Sequence, residues 1–235
     1  MKKSILIGIS GAPSSGKTTT AHLLRHKLSG RGFSREVVRE YARHWIEKYG
    51  QIDDIYQQWH IYYGQTKWEE QARKNYQFVL SDSPRFLPYL YSLGFLDYTK
   101  PASVAAAVAL YEIAVNSLKD YSRLYLLMPP ECVEQDGIRC QTDADVNAIF
   151  EASRQFLRNH CPDLFVEVPS HGKDPEAYAN FIIADLQGLG LVPPDNIAPE
   201  QLEITPENTI VLEDFSRRIP SIDGFYEDDK TIKKS

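Results

Sequence analysis

Five short apolar runs recur before residue 170, separated by longer stretches that mix apolar and polar positions. The first run, Ile5–Ile9, has no polar alternation, which is typical of a strand buried on both faces of a parallel sheet. The other four lie in the segments REVVREYAR, YQFVLSD, RLYLLM and LFVEVP. The pattern predicts five strands, of which the second ends near Arg39 and Glu40 and the third ends at Asp82.

Helical spacing of apolar residues follows the first strand, where Ala21, Leu24 and Leu28 form one stripe along Thr18–Leu28. Further helices are predicted over Ile55–Lys74, Phe86–Leu93, Val104–Leu118, Ala144–Asn159 and Pro175–Leu186. Strands that alternate with helices predict an α/β fold, a three-layer sandwich with a five-stranded, mainly parallel sheet. In such sheets the carboxyl ends of the strands meet at one edge, where ligands bind.

A glycine-rich break follows the first strand and reads GAPSSGKT from Gly11 to Thr18. It matches the pattern G-x-x-x-x-G-K-[ST] between a strand and a helix, which predicts the phosphate-binding loop of a P-loop NTPase. Its backbone N–H groups and the helix N-terminus would hold the phosphates of ATP, with Lys17 on the β- and γ-phosphates and the Thr18 hydroxyl on Mg²⁺. The predicted cofactor-binding residues are Gly11, Ser14, Ser15, Gly16, Lys17, Thr18 and Thr19.

Asp82 is the candidate carboxylate for this magnesium ion, because it ends a predicted strand that could neighbour the first. It would bind Mg²⁺ through water or orient the acceptor hydroxyl, and the sequence leaves both roles open. A turn-forming aspartate before Ser83-Pro84-Arg85 is the structural alternative.

Glu40 is the candidate general base, since a carboxylate at the end of the second strand would face the phosphate acceptor. Arg43 lies three residues further on, so the two could instead form an ion pair on one helix face. Arg43 is also a candidate substrate contact, together with Arg85.

The segment EQDGIRCQTD precedes the predicted helix at 144–159, and it carries Arg139 behind an Asp-Gly turn. A lid around residues 131–160 is predicted, and Arg139 would neutralise charge on the phosphoryl group as it moves. Arg154 is a weaker candidate, because it lies within an amphipathic helix, and Asp136 could simply form the turn.

Aromatic side chains are dense in the segment YQQWHIYYGQTKW. Tyr56, Trp59 and Tyr63 lie three and four residues apart, on one helical stripe, which more often indicates a core than a ligand site. The alternative is a stacking pocket for a planar ring, in which Trp59 and Tyr63 would contact the substrate.

Composition restricts the class of partner. The formal net charge of −6 gives no overall attraction to nucleic acid, although LLRHKLSGRGFSR is a basic stretch that surface solvation also explains. The short apolar start does not fit a signal peptide, and no stretch is expected to reach the roughly 20 apolar residues of a membrane span, so a cytoplasmic location is predicted.

Two parts are predicted along the chain, a kinase domain over 1–187 and an extension over 188–235. The extension is rich in proline and acidic residues and has little periodicity, so it either docks on the domain or is partly disordered.

The chain resembles the P-loop kinase group that includes the ribosylnicotinamide kinase domain of bacterial NAD-metabolism regulators. The resemblance rests on GAPSSGKTT, REYAR, SDSPRFLPYLYS and DGIR and spans roughly Ile5 to Leu186, without an adenylyltransferase or helix-turn-helix domain. It implies a thymidylate-kinase-like fold, ATP with Mg²⁺ as donor and a small acceptor, often a nucleoside. The residues it matches to the family's functional positions are Lys17, Thr18, Glu40, Asp82 and Arg139.

The function expected from these features is a kinase that transfers the γ-phosphoryl group of ATP to a hydroxyl of a nucleoside-like molecule, for example nicotinamide riboside. A different class remains open, an ATPase or switch that acts on a protein partner. A kinase acting on a hydroxyl of DNA or of a modified base is the third hypothesis, disfavoured by the net charge.

Overall fold

Every strand pairing in the described sheet is parallel. The computed structural model describes residues 4–12, 15–128, 143–170 and 174–194, with the backbone alone for 143–145. The strands are β1 (Ile5–Gly11), β2 (Arg35–Val38), β3 (Phe78–Ser81), β4 (Arg123–Leu127) and β5 (Phe165–Val168). They are arranged in the order β2-β3-β1-β4-β5, which confirms the predicted five-stranded sheet.

The helices of the described residues are α1 (Lys17–Ser29), α2 (Tyr41–Tyr49), α3 (Ile55–Asn75), α4 (Leu87–Ser92), α5 (Pro101–Ser117), α6 (Asp143–His160) and α7 (Pro175–Gly188). Side-chain caps explain where α3 and α7 begin. The Asp54 carboxylate accepts from the N–H groups of Tyr56 and Gln57 at 2.6 and 2.9 Å and so starts α3. Helix α5 starts three residues earlier than predicted, since Pro101 suits the first turn of a helix.

Apolar side chains project from both faces of the sheet and pack against helices on each side. The domain therefore has three layers. Ile7 and Ile9 of β1 pack on one face with α1 and α7, whereas Leu6 packs on the other face with residues of α3 to α6. The alternating sides explain why the strand is apolar at every position between Ile5 and Ile9. Val192, beyond the end of α7, is also buried in the first of these clusters.

The segment Pro101–Asp120, which comprises α5 and the turn after it, is long and apolar enough to cross a membrane, with a mean hydropathy of 1.3. This corrects the expectation that no stretch reaches that length. Ala107, Leu110 and Ala114 of α5 are buried, and the helix packs against α3 and α4. In chain order α5 falls between β3 and β4, two strands of the same sheet, and it packs as a helix of the domain core.

Helix α2 packs closely on α3 at Gly64. A Cβ atom at Gly64 would lie only 2.2 to 2.4 Å from three ring atoms of Tyr41. The Tyr41 ring is 4% exposed and packs edge-on against Trp68, with the centroids 4.8 Å apart, so it has little room to move. The absence of a side chain at Gly64 therefore sets the approach of the two helices.

Gly64→Ala is expected to lower the free energy of unfolding by about 1–2 kcal/mol, because the overpacking cost exceeds the gain in helix propensity. The measurement is urea unfolding, read as a shifted midpoint at constant slope. Gly188→Ala is the matched control, since a Cβ there would meet no atom within 4 Å, and it should leave stability unchanged or slightly raised. Equal stability of Gly64→Ala and the natural chain would contradict this account of the α2–α3 contact.

Candidate active site

The loop between β1 and α1 has left-handed backbone where its glycines stand. Gly11 has φ 152° and Gly16 has φ 84°, values that side-chain-bearing residues rarely adopt. A Cβ at Gly11 would lie 2.8 Å from both the Leu127 carbonyl oxygen and Ser15 Oγ. Both glycines are therefore required by the curled backbone that the motif predicts, while Ser14 lies outside the described residues.

Lys17 and Thr18 begin α1 directly after this loop. The Lys17 ammonium donates to the Ala12 carbonyl oxygen at 2.6 Å, which places the charge beside the loop backbone. The side chains of Thr18 and Thr19 are exposed on the first turn, accessible to a ligand bound there.

Asp82 joins the loop from the neighbouring strand. Thr18 Oγ1 donates to Asp82 Oδ2 at 2.5 Å, and the Asp82 N–H donates to the Val38 carbonyl oxygen at 2.9 Å. The carboxylate is 4% exposed. Because β3 lies between β1 and β2, Asp82 is held between the P-loop helix and the end of β2.

The oxygen donors of Thr18 and Asp82 fit a magnesium ion, since Mg²⁺ prefers hard oxygen ligands and usually uses one or two carboxylates together with substrate phosphates. Across the described ranges, no group of three or more His, Cys, Asp or Glu side chains is placed to hold a metal by itself. A magnesium ion held by Thr18 and Asp82 would therefore need further oxygen ligands from outside these two side chains.

Glu40 lies two residues beyond β2 and directly before α2, with its side chain half-buried. Arg43 is exposed one turn further along α2. Glu40 and Asp82 therefore stand at the carboxyl ends of two adjacent strands, where open α/β sheets bind their ligands.

Gln65 of α3 connects the residues next to these two carboxylates. Its side-chain oxygen accepts from the Tyr41 N–H at 2.9 Å, and its amide nitrogen donates to Ser81 Oγ at 3.2 Å. Gln65 is 2% exposed. One buried amide thus ties the residue after Glu40 to the residue before Asp82.

A buried acid one turn further along α3 extends this network. The Glu69 carboxylate is fully buried and accepts from Ser81 Oγ at 2.6 Å and from the Tyr121 hydroxyl at 2.8 Å. Arg85 is 4% exposed, and its Nε lies 2.8 Å from Glu69 Oε2, while its terminal nitrogen donates to Asp120 at 2.9 Å. The Arg85 guanidinium is therefore engaged inside the domain, and a contact of Arg85 with substrate stays a prediction.

Electrostatics in this network favour a charged arginine. Burial alone would lower the pKa of Arg85, but Tyr121, Glu69 and Asp120 raise it above its ordinary value. Burial raises the pKa of the Glu69 carboxyl, while the Arg85 charge and hydrogen bonds from Ser81, Tyr121 and Gln65 act in the opposite direction. The pair is stable only because each charge has its partner.

Gln65, Glu69 and Tyr121 belong to none of the motifs found in the sequence. Their spacing in the sequence could have indicated two of them, since Gln65 and Glu69 are four residues apart and share a helix face with the apolar Ile61 and Ala72. In the structure all four residues are buried. Polar residues within an apolar stripe indicate a buried network with partners supplied by another segment.

The aromatic stripe of α3 does not form the core. Tyr56 and Tyr63 are 51% and 59% exposed, which excludes the core interpretation for these two rings. Gln65 contacts Ser81 at the carboxyl end of β3. Tyr63 and Trp59 precede Gln65 in α3, so they lie about 3 and 9 Å from it along the helix axis, toward the helix N-terminus and beyond the carboxyl edge of the sheet. Their contact with substrate stays a prediction.

Arg154 forms a surface ion pair. Its Nε lies 3.0 Å from Glu167 Oε1 of β5, and its terminal nitrogen lies 3.4 Å from Glu151, three residues earlier. This placement favours the structural alternative for Arg154. Arg139 and Asp136, together with the first part of the predicted lid, lie outside the described residues.

Comparisons with known proteins agree with the fold. A family model described as an AAA domain matches residues 6–173, which is most of the chain. No curated protein matches the chain in sequence.

Solved structures resemble the fold at low sequence identity. The NadR protein in complex with NAD and AMP-PNP has a TM-score of 0.59 and 17% identity over 79% of this chain and 49% of the NadR chain. NadR in complex with NR has a TM-score of 0.59 and 16% identity, over 80% and 50% of the two chains. This chain therefore spans about half the length of NadR.

Two kinases are matched over nearly their whole length. Thymidylate kinase from Candida albicans has a TM-score of 0.50 and 16% identity over 80% of this chain and 93% of the kinase. Deoxyadenosine kinase from M. mycoides, with dCMP and dCDP bound, has a TM-score of 0.50 and 15% identity over 78% and 100%. With the P-loop, the parallel sheet and the match over residues 6–173, this chain belongs to the AAA-domain family and has the fold of the P-loop kinases that bind nucleosides and nucleotides.

Proposed function

We propose that this chain is an ATP- and Mg²⁺-dependent kinase that transfers a phosphoryl group to a hydroxyl of a nucleoside-like small molecule. The observation that carries the proposal is the convergence of Thr18, Asp82 and Glu40 at one sheet edge. Thr18 contacts Asp82 at 2.5 Å, and Asp82 bonds to the strand that Glu40 follows. The kinase relatives and the NadR complex with NR support an acceptor of nucleoside type, such as nicotinamide riboside.

In the proposed reaction, the acceptor oxygen forms a bond to the γ-phosphorus of ATP while the bond from that phosphorus to its bridging oxygen breaks. ADP leaves, and the proton of the hydroxyl passes to the Glu40 carboxylate. The Lys17 ammonium offsets negative charge on the moving group, and positioning supplies most of the acceleration.

Thr18 and Asp82 would hold the magnesium ion. When bound, Mg²⁺ supplies positive charge that neutralises phosphate oxygens. Asp82 would alternatively orient the acceptor hydroxyl. Arg139 is proposed to add a further positive charge from the lid segment around 131–160, and Trp59, Tyr63 and Arg43 to line the acceptor side.

The match to an AAA-domain family favours a second candidate function, an ATPase that acts on a protein partner. The two candidates differ in their products, because an ATPase releases inorganic phosphate and a kinase leaves the phosphoryl group on the acceptor.

A single assay distinguishes them. ADP release is measured with Mg-ATP and a panel of nucleosides, nucleotides, nicotinamide riboside and a hydroxyl-ended DNA, with mass spectrometry on every positive. A small molecule heavier by one phosphoryl group supports the kinase and identifies its acceptor. Inorganic phosphate without any phosphorylated product supports the ATPase, and a phosphorylated DNA end would overturn the small-molecule acceptor.

Glu40→Gln is expected to lower kcat by about 10²–10⁴-fold and to change the affinity for ATP little, because it removes the base without touching the phosphate loop. Steady-state kinetics with the identified acceptor, together with ATP titration, separate the two effects. Glu47→Gln, an exposed position on the same helix, is the matched control and should keep its activity. An unchanged kcat in Glu40→Gln would remove Glu40 as the base.

A further inference from the structure

A basic cavity of about 250 Å³ lies away from the P-loop, between α1 and the first residue of β2. Its lining residues are His22, Arg25, His26, Ser29 and Arg35. In α1, Arg25 and His26 are adjacent, and both lie three or four residues from His22 and from Ser29, so the four share one face of the helix. Two guanidinium groups, two imidazoles and a hydroxyl therefore converge on one space in a chain whose net charge is −6.

Arg35 is held in place on the wall of this cavity. Its guanidinium donates to Ser29 Oγ and, at 3.1 Å, to the Phe33 carbonyl oxygen. The Nε of Arg35 is buried and makes no hydrogen bond within the described residues. The bonds to Ser29 and Phe33 hold the Arg35 guanidinium in a fixed orientation, so its positive charge is preorganised beside the cavity.

Positive charges in the cavity act on one another. Burial lowers the pKa of Arg35, and the nearby charge of Arg25 lowers it further, while Glu36 acts in the opposite direction. Glu36 accepts from the Val37 N–H at 2.9 Å and so is partly engaged by its own backbone. An anion in the cavity would offset the repulsion between the two guanidinium groups.

An acid of α7, Glu176, is also engaged. Glu176 accepts from the Lys27 ammonium at 2.5 Å, so the lysine of this basic stretch already has its counter-ion. That lysine is not among the residues that line the cavity. The positive charges available to a ligand are thus those of Arg25 and Arg35, and the two histidines add ring nitrogens that can form hydrogen bonds.

The chemistry and size of the cavity indicate its ligand. Arginine presents paired N–H donors that match phosphate oxygens, and a volume of about 250 Å³ is slightly below that of typical ligand sites, roughly 300–1,000 Å³. This space suits a phosphate group with part of its ester. A nucleic-acid backbone needs several phosphate contacts along an extended surface, which one helix face on an acidic protein does not offer.

We propose that the basic cavity is a second phosphate-binding site, separate from the P-loop, for a phosphorylated small molecule. His22 and Ser29 lie five and twelve residues after Lys17 on the same helix, so the cavity is about 8–18 Å along the α1 axis from the P-loop lysine. The two sites are therefore distinct but rest on one rigid element. This inference does not depend on the proposed kinase function.

The test is calorimetric titration of the full chain with inorganic phosphate and with ribose 5-phosphate, in a Lys17→Ala background that weakens phosphate binding at the P-loop. Saturable binding of one equivalent is expected, and it should weaken at least about 10-fold when Arg25→Gln or Arg35→Gln is added. Lys119→Gln is the matched control for loss of one exposed positive charge and should leave binding unchanged.

Arg25 is partly exposed on α1, so Arg25→Gln should fold. This variant can therefore be measured even if Arg35→Gln does not fold. Absence of saturable binding to the Lys17→Ala chain overturns the proposal, and so does binding that Arg25→Gln leaves unchanged. A single-stranded oligonucleotide that binds more tightly than ribose 5-phosphate, with steep salt dependence and loss in Arg25→Gln, would overturn the small-molecule class of ligand.

Discussion

Lys17→Ala is expected to lower kcat for ADP release by about 10²–10³-fold, since it removes a preorganised positive charge from the phosphate loop. The lysine is fixed at the start of α1 by that helix and by its bond of 2.6 Å to the Ala12 carbonyl oxygen. The charge therefore does not need to be reorganised as the phosphoryl group moves. The measurement is single-turnover and steady-state ADP release with Mg-ATP, alongside ATP titration.

Lys27→Ala is the matched control for Lys17→Ala. Lys27 lies on the same helix, but its ammonium pairs with Glu176 at the surface, and such pairs contribute only about 0–1 kcal/mol to stability. Its kcat should match that of the natural chain. If the rates of the two variants fall together, the loss is due to the helix and not to the phosphate loop.

Glu69→Ala is expected to lower the free energy of unfolding by about 3–5 kcal/mol, because it leaves the Arg85 guanidinium buried with only part of its compensation. For a domain of this size the melting temperature should fall by roughly 6–20 °C. Glu70→Ala is the matched control, since it changes the exposed neighbour on the same helix and should stay within about 0.5 kcal/mol of the natural chain.

A double variant separates the buried charge from the buried volume. Glu69→Met combined with Arg85→Met removes both charges at similar volume and should recover much of the stability lost in Glu69→Ala. Arg85→Met alone removes the cation that lowers the pKa of the Glu69 carboxyl, so that pKa should rise further. A carboxyl whose pKa is raised by folding loses stability as pH rises above its ordinary value of 4.5, and Arg85→Met should therefore destabilise more at pH 7 than at pH 5. Equal losses at both pH values would show that Glu69 is not the titrating group.

Functional consequences should follow from the same network. Ser81 donates to Glu69 and directly precedes Asp82, so a change at Glu69 alters the support of the candidate metal ligand. The Glu69 variants are therefore best compared at a temperature where each is folded.

Much of the fold is readable from local patterns. The run Ile5–Ile9 predicted a strand buried on both faces, and the glycines of GAPSSGKT predicted a curled loop, which the left-handed Gly16 confirms. The observed ends of strands and helices differ from the predicted ones where strand pairing or a residue of the first helical turn sets them. Strand β1 extends to Gly11 because that residue pairs in register with Leu127, a partner that no local pattern around Gly11 reveals.

The rotation of α3 was less predictable. Its aromatic stripe and its buried stripe have the same helical period, and periodicity does not tell which stripe faces inward. Burial selected the stripe with Gln65 and Glu69, because Ser81 and Tyr121 supply hydrogen bonds and Arg85 supplies an ion pair to these polar side chains. Tyr63 faces outward as a consequence.

The sequence by itself determined the elements whose causes are local: the P-loop, the strand-helix alternation and the acidic residues at strand ends. Only the tertiary structure decided which of these side chains meet. Thr18 and Asp82 are 64 residues apart and Glu69 and Tyr121 are 52 apart, yet both pairs are within hydrogen-bond distance. The physical reason is that periodicity and capping depend on neighbours along the chain, whereas strand order and the pairing of buried polar groups depend on segments that only folding brings together.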